Sequence, residues 1–480
     1  MSSDTQKPTS AAQPVALPAV EPPVGPTSSR RAIGIDVARA VALIGMISVH
    51  VFPEAHLDND KMTLAFAVFA GRASALFAVL AGVSIAFVEK RSHGHLYGRT
   101  LTADRAALVV RGLLILLVGL LLGHLETPID TIIPYFGILF LVAVPFYGRS
   151  SRFLLIAALF FAIVGPVLRH LLNGTIPEQL DPEADYTLFT AAQQPVLFIV
   201  DMLITGTYPV FLWMTYLCVG MVIGRQVLTS RKVQLALAGW GAVLALAAWV
   251  ISQVLLGPAG GMQRLVEATP SLTRAEITDV LAYGPDLTLM PNTTWWWLAV
   301  VTPYSETPLT VLHTLGAAVA ALGLILLVTH RGGKVFSPFA AIGAMTLTLY
   351  SAHVIIFAID VLDVTRPVLS LWIQIISFML FAVLWRAVIG KGPLEGIISD
   401  ASDWVRRRVR ASGDRPPQDT PGRLRFKPHA GPAVPPPPGR PPEPAHPVRQ
   451  PAVTDRTAEI PPGSRAGRWK TSLPRPEGTS

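Results

Sequence analysis

Three ionisable residues stand inside an otherwise apolar run near the amino terminus, GIDVARAVALIGMISVH (34–50): Asp36, Arg39 and His50. Asp36 precedes Arg39 by three residues, so a helix puts both on one side and lets carboxylate and guanidinium pair. Arg39 and His50 are 11 residues apart, close to three whole turns, so they share a face about 16 Å apart along the axis. The imidazole is the side chain whose ordinary pKa suits proton transfer near neutral pH. The pair has two uses, a structural anchor for the helix or a direct part in chemistry, and the spacing leaves both open.

Other charges follow the same pattern. Arg72, in FAGRASALFAVLAGVSI, is a permanent cation in an apolar segment and needs a carboxylate or a phosphate. Either it pairs internally, with Asp36 as the candidate, or it anchors an anionic cofactor. Arg105 and Arg111 open a third apolar run, where topology accounts for them and phosphate contacts would suit them too. His124, His313 and His353 fall in the same halves of their segments as His50, with Tyr350 one turn from His353, so four imidazoles are expected at comparable depth. Intramembrane ionisable groups normally face the bundle interior and mark functional sites. None of these histidines has the His-x-x-x-His spacing of a ligand pair, so no metal is expected.

The elements that must position these groups are membrane helices. The chain has 480 residues, 51% hydrophobic and 15% charged, with mean hydropathy +0.48; a soluble chain carries about a quarter charged residues. An all-α, polytopic helix bundle is expected, with about ten spans near 33–53, 63–88, 106–125, 129–147, 152–172, 204–224, 234–256, 307–329, 337–360 and 367–389. The fourth span has Pro134 and Pro145 near its ends, so a re-entrant segment is the alternative there. Loops bearing Lys90, Arg99, Arg149, Arg225, Lys232 and Lys334 alternate with loops bearing Glu54, Asp58, Glu126, Asp181 and Asp363. The positive-inside rule then puts both termini in the cytoplasm.

Three regions are expected: a disordered segment (1–29), the membrane domain (30–400) and a disordered, basic, Pro-rich tail (401–480). The formal charge of +8 belongs to that tail, which holds 15 Lys and Arg against 7 Asp and Glu, so no nucleic-acid partner is expected for the body. The tail could engage a cytoplasmic partner. The single cysteine, Cys218, excludes a disulfide within the chain. Between 257 and 306 the run PNTTWWWLAVVTPYSETP most simply forms an interfacial tryptophan belt, with a stacking surface for a sugar or lipid headgroup as the alternative.

GIDVARAVALIGMISVH followed by GRASALFAVLAGVSIAF resembles the opening of the transmembrane acyltransferases. These include the heparan-α-glucosaminide N-acetyltransferase family and the YeiB-type bacterial membrane proteins. The Arg39-x10-His50 spacing is similar to a signature of the related acyltransferase type three family. RGLLILLVGLLLGHLETPIDTIIPYFGILFL (111–141), AAIGAMTLTLYSAHVIIF (340–357) and GPLEG (392–396) resemble the YeiB type. The resemblance covers roughly 31–400. It departs at Ala81, where type three relatives carry serine, and at His353, where the family carries glutamine.

The resemblance implies acyl transfer, with acyl-CoA (acetyl-CoA foremost) as donor substrate and no tightly bound cofactor. The acceptor would be a hydroxyl or amine of an extracytoplasmic sugar or lipid of the cell envelope. His50 would be the general base, or His56, which matches the outer-loop histidine of the heparan enzymes. Asp36 would hold Arg39, and Arg72, Arg105 and Arg111 would hold the donor. A transporter or lipid flippase is the alternative, with the same charges lining a polar path. An anchoring protein acting through its tail would leave Arg39, Arg72 and His50 unexplained.

Overall fold

The structure, a computed structural model, describes residues 26–56, 61–91, 98–125, 127, 129–173, 186–285, 289–332, 335–361 and 365–412. Residues 417–480 separate as a second unit and lie outside the described residues, as does the proposed disordered region before 26. Asp58, Glu126, Asp181, Lys334 and Asp363 of the alternating loops also lie outside them.

The fold is all-α. Helix α1 (Pro26–Val51) is followed by α2 (Leu64–Phe69) and α3 (Arg72–Arg91), which turn at Gly71. Next come α4 (Arg99–Leu122), α5 (Ile133–Ala143) and α6 (Ser151–Leu172). Short helices α7 (Leu188–Gln193) and α8 (Pro195–Val200) lead through a π turn, Asp201–Thr205, into α9 (Val210–Gly224). Then α10 (Arg231–Leu256) precedes α11 (Gly261–Ala268), α12 (Arg274–Tyr283) and a 3-10 turn, Trp295–Ala299. The chain ends with α13 (Pro308–Thr329), α14 (Ser337–Gly343), α15 (Thr346–Ala358), α16 (Pro367–Val388) and α17 (Pro393–Ala411).

Among the described residues seven segments are long and apolar enough to cross a membrane, or nine if each of two bent pairs is one span. The ten expected runs all correspond to helices, but the fourth, Ile133–Phe146, is too short to count. Pro134 opens it and Pro145 tightens its end into a 3-10 turn, because neither can donate a ladder hydrogen bond. The bent pairs break by 51° at the π turn and by 75° between α14 and α15.

The outer surface is apolar: Trp240, Leu246 and Trp249 on α10, Ile156 and Leu159 on α6, and Trp372, Ile376 and Leu384 on α16 are all exposed. In water such a belt would drive aggregation, whereas lipid solvates it. This is a multi-pass membrane protein. Inside, α3 and α9 cross where Gly82 and Gly220 meet, and a Cβ on Gly82 would stand 2.1 Å from the Leu217 carbonyl oxygen. Backbones this close are the usual result of small residues between membrane helices.

Two expected boundaries shift. Helix α1 begins at Pro26, before the boundary at 30, and α17 continues to Ala411, past the boundary at 401. The tryptophan run is also not a simple belt. Trp297 is fully buried in a small core with Leu265, Ile277, Met290 and Val300, and Trp296 packs under Arg264, leaving Trp295 exposed. The Trp297 indole N–H donates to Thr269 and Thr293, which satisfies it in that interior.

Candidate active site

Helix α1 carries the first part of the site. Arg39 Nη1 donates to Asp36 Oδ1 at 2.9 Å, and Arg39 Nη2 donates to Ser84 Oγ on α3 at 2.5 Å. The α14–α15 elbow seats against the same turn: a Cβ on Gly343 would stand 1.6 Å from the Asp36 carbonyl oxygen, so only glycine fits. The spacing of Asp36 and Arg39 thus becomes a real pair. The Arg72–Asp36 pairing does not form. Arg72 begins α3, 12 residues and about 18 Å of helix before Ser84. Its Nε and Nη2 lie 3.3 and 3.2 Å from His313 Nε2, and Nη1 donates to the Ala67 carbonyl. His313 Nδ1 faces the Ala245 carbonyl at 3.0 Å, so that nitrogen carries the proton and Nε2 accepts from Arg72.

Of the four imidazoles expected at comparable depth, two meet. His50 and His353 stack with centroids 5.3 Å apart and planes 9° apart. His50 Nδ1 lies 3.0 Å from His353 Nε2, and His353 Nδ1 lies 2.8 Å from Gln374 Oε1 on α16. The amide oxygen only accepts, so it fixes the proton on His353 Nδ1; His353 Nε2 then accepts from His50 Nδ1–H. His50 Nε2 is left with its lone pair. Tyr350 meets the His50 ring edge-on at 6.4 Å. His124 lies exposed just after α4, and His56 lies exposed in the loop after α1, its backbone N–H bonded to the Lys61 carbonyl.

Tyr350 lines a cavity of about 630 Å³, and His50 and His353 are not among its lining residues. Its lining combines the basic Arg39, Arg111, Arg386, Lys391 and Arg406, the acidic Asp104, Glu395 and Asp403, and the apolar Met46, Phe77, Phe136 and Phe140. The Arg111 guanidinium sits 5.0 Å over the Phe140 ring, so its charge stays available while its flat face is packed. Arg105 and Arg72 do not line this cavity; Arg105 donates to the Tyr147 carbonyl at 3.1 Å.

Helix α17 closes one wall. Buried Asp104 of α4 accepts from Arg406 Nε at 2.9 Å, Arg410 Nη2 at 3.1 Å and the Tyr147 hydroxyl at 3.1 Å. Glu395 reaches the start of α15, which has no side-chain cap of its own. Its Oε1 accepts from the Leu347 and Thr348 N–H groups at 2.8 and 3.1 Å, and its Oε2 from the Thr348 hydroxyl at 2.6 Å. A carboxylate there satisfies orphan donors and complements the helix dipole.

A second polar cluster lies beyond the cavity, joined to it by aromatic contacts from Phe77 to Phe136 to Trp213. The Trp213 indole N–H donates to Glu306 Oε1 at 3.4 Å. Burial pushes the Glu306 carboxyl up to about 7, opposed by the charge of Arg169. Tyr304 and Glu306 both hold left-handed backbone, φ 59° and 55°, which costs about 1 kcal/mol or more each and persists only where packing enforces it. Burial likewise raises Asp130, against a hydrogen bond from Thr207. Among the described residues no group of three or more His, Cys, Asp or Glu is gathered as a metal would need.

Residues 31–254 match the family model described as heparan-alpha-glucosaminide N-acetyltransferase, catalytic. The chain is similar to that family there. No curated protein matches this chain. The match takes in Asp36, Arg39, His50, Arg72, Arg105, Arg111 and His124, but stops short of α13 to α17. His353, Gln374, Arg386 and Glu395 therefore rest on the structure alone. Gln374, Arg386, Lys391, Glu395 and Arg406 were not expected in the site from the sequence. The available signal was a polar residue within an apolar run for Gln374 and the GPLEG stretch for Glu395.

Proposed function

We propose that this chain is an integral-membrane acyltransferase that takes the acyl group of acyl-CoA, acetyl-CoA foremost, to a hydroxyl or amine of an envelope sugar or lipid. The observation that carries the proposal is a cavity lined by arginines and phenylalanines and by Tyr350, whose ring meets edge-on the His50 imidazole that a His353–Gln374 chain orients. The similarity of residues 31–254 to an N-acetyltransferase catalytic region points the same way.

Arg39, Arg111 and Arg386 would neutralise the donor's phosphates, with guanidinium groups suited to bidentate contact. The Phe77, Phe136 and Phe140 wall would take its apolar arm. His50 Nε2 would accept the acceptor's proton as its oxygen or nitrogen attacks the thioester carbonyl carbon. The carbon–sulfur bond then breaks, and the proton passes from His50 to the departing thiolate, giving acylated acceptor and free CoA. Asp36 holds Arg39 against Ser84. Both termini and the basic cavity would face the cytoplasm, and the acceptor would approach from the other side.

The two sharply bent helix pairs favour a second reading, a transporter or flippase, because broken helices at mid-membrane are common at transport sites. The deciding experiment supplies labelled acetyl-CoA to purified protein in vesicles and follows free thiol and labelled acceptor. Thiol release that falls about 10²- to 10⁴-fold in His50→Ala, and persists in His56→Ala, supports acyl transfer by His50. Loss in His56→Ala alone would move the base to His56. Vesicle flux of an envelope lipid without thiol release would replace the enzyme with a transporter.

A further inference from the structure

Helix α17 has two dissimilar faces. The inner one, with Ile398 and Ser402 buried and Arg406 bonded to Asp104, forms the cavity wall. The outer one carries Ile397, 63% exposed, and Trp404, 54% exposed, two turns apart on one stripe. The Arg408 guanidinium lies 5.3 Å over the Trp404 ring, and exposed Arg407 flanks the stripe. Asp400, the acid on this side, is paired with Lys391 at 2.7 Å, so the stripe's remaining charge is positive.

The helix follows the last membrane-length segment after residues 389–392. The exposed end of that segment, Val388 at 84% and Ile389 at 60%, leads directly into it. With seven ionisable side chains in 19 residues, α17 cannot cross a bilayer itself. An amphipathic helix with tryptophan and isoleucine on one stripe and arginine beside them fits the plane of the headgroups. The stripe's positive charge complements an anionic headgroup.

We infer that the outer face of α17 binds anionic phospholipid, with Arg407 and Arg408 taking phosphate oxygens and Ile397 and Trp404 seated at the acyl boundary. The inference stands apart from acyl transfer, since it needs only the helix, its charges and the adjoining lipid surface. The inner face of the same helix lines the cavity.

The test uses the full chain in vesicles of mixed phosphatidylcholine and phosphatidylglycerol. A nitroxide placed by Ile397→Cys, in a Cys218→Ser background, should collide more with oxygen than with a water-soluble nickel chelate. Spin-labelled phosphatidylglycerol should be preferred over phosphatidylcholine at the protein boundary, and Arg407→Gln/Arg408→Gln should lower that preference about two- to fivefold. Raised salt should lower it in the wild type more than in the variant. Nickel-dominated collisions at position 397 would overturn the inference by placing the stripe in water. An unchanged lipid preference in the double variant would overturn it by removing the anionic contact.

Discussion

At the scale of residues, the chemistry rests on proton placement. In the proposed reaction Gln374 would act on His50 only through His353, as a positioning residue. Gln374→Ala should lower turnover of thiol release by about tenfold while leaving the KM for acyl-CoA unchanged, because the cavity is intact; steady-state kinetics would show it. The Glu306 carboxyl titrates near 7 in the fold and near 4.5 when unfolded. A raised acid binds its proton more tightly folded, so its stabilising contribution is full below 4.5 and is lost as pH rises through 7. Melting curves should therefore show wild type losing up to about 3 kcal/mol relative to Glu306→Gln across that window; parallel curves would refute it. Asp36 with Arg39, and His50 as an intramembrane imidazole, were legible because charge in an apolar run has few explanations. His313 and His124 do not join His50, since a shared depth does not fix which helix faces which. Arg72 misled because the break at Gly71 moved it to the start of a helix.

At the scale of elements, apolar runs of membrane length announced nearly every helix, while the breaks stayed hidden. The π turn at Asp201–Thr205 and the elbow between α14 and α15 depend on distant partners, Arg169 for the first and Glu395 for the second. Arg169 donates to the carbonyls of Ile204 and Gly206, replacing partners that the broken ladder has lost. Glu395 does the same for α15, which carries Tyr350 and His353 one and two turns further on. Glu395→Ala should cost about 1 kcal/mol of stability and lower activity, and Glu395→Gln, which still offers an acceptor, should restore most of both. Equal defects in the two variants would mean that charge rather than capping matters. Helix α17 was missed beyond residue 400 because its composition is polar; only its amphipathic spacing marked it as ordered. Asp104→Ala should free α17 from α4, costing about 1–3 kcal/mol, less than a wholly buried pair because both arginines reach solvent. Faster proteolysis within 393–411 would register that release.

At the scale of the whole molecule, the proposed reaction needs two sides. The expected sidedness rests on the alternation of basic and acidic loops in the sequence. In sealed vesicles, transfer should occur only when acyl-CoA has access to the face bearing Arg386, Lys391 and Arg406 and the acceptor to the opposite one. Labelled donor sealed inside or added outside distinguishes the two, and equal transfer from either side would remove the transmembrane route. What no linear inspection could supply was the closure of the cavity by distant parts of the chain. Its walls come from α1, α3, α4 and α5 on one hand and from α14 to α17 on the other. The last helix therefore sets a timetable for biogenesis. While the ribosome is still making α10 to α13, the early helices can already be in the bilayer, but their basic groove has no far wall. At about 5–20 residues per second, the groove stays open for many seconds, and a stall or premature stop before residue 393 would leave a membrane-inserted chain with charged groups facing lipid or water. Such a fragment is a natural target for membrane quality control, whereas a cut after residue 412 would leave every described wall of the cavity in place.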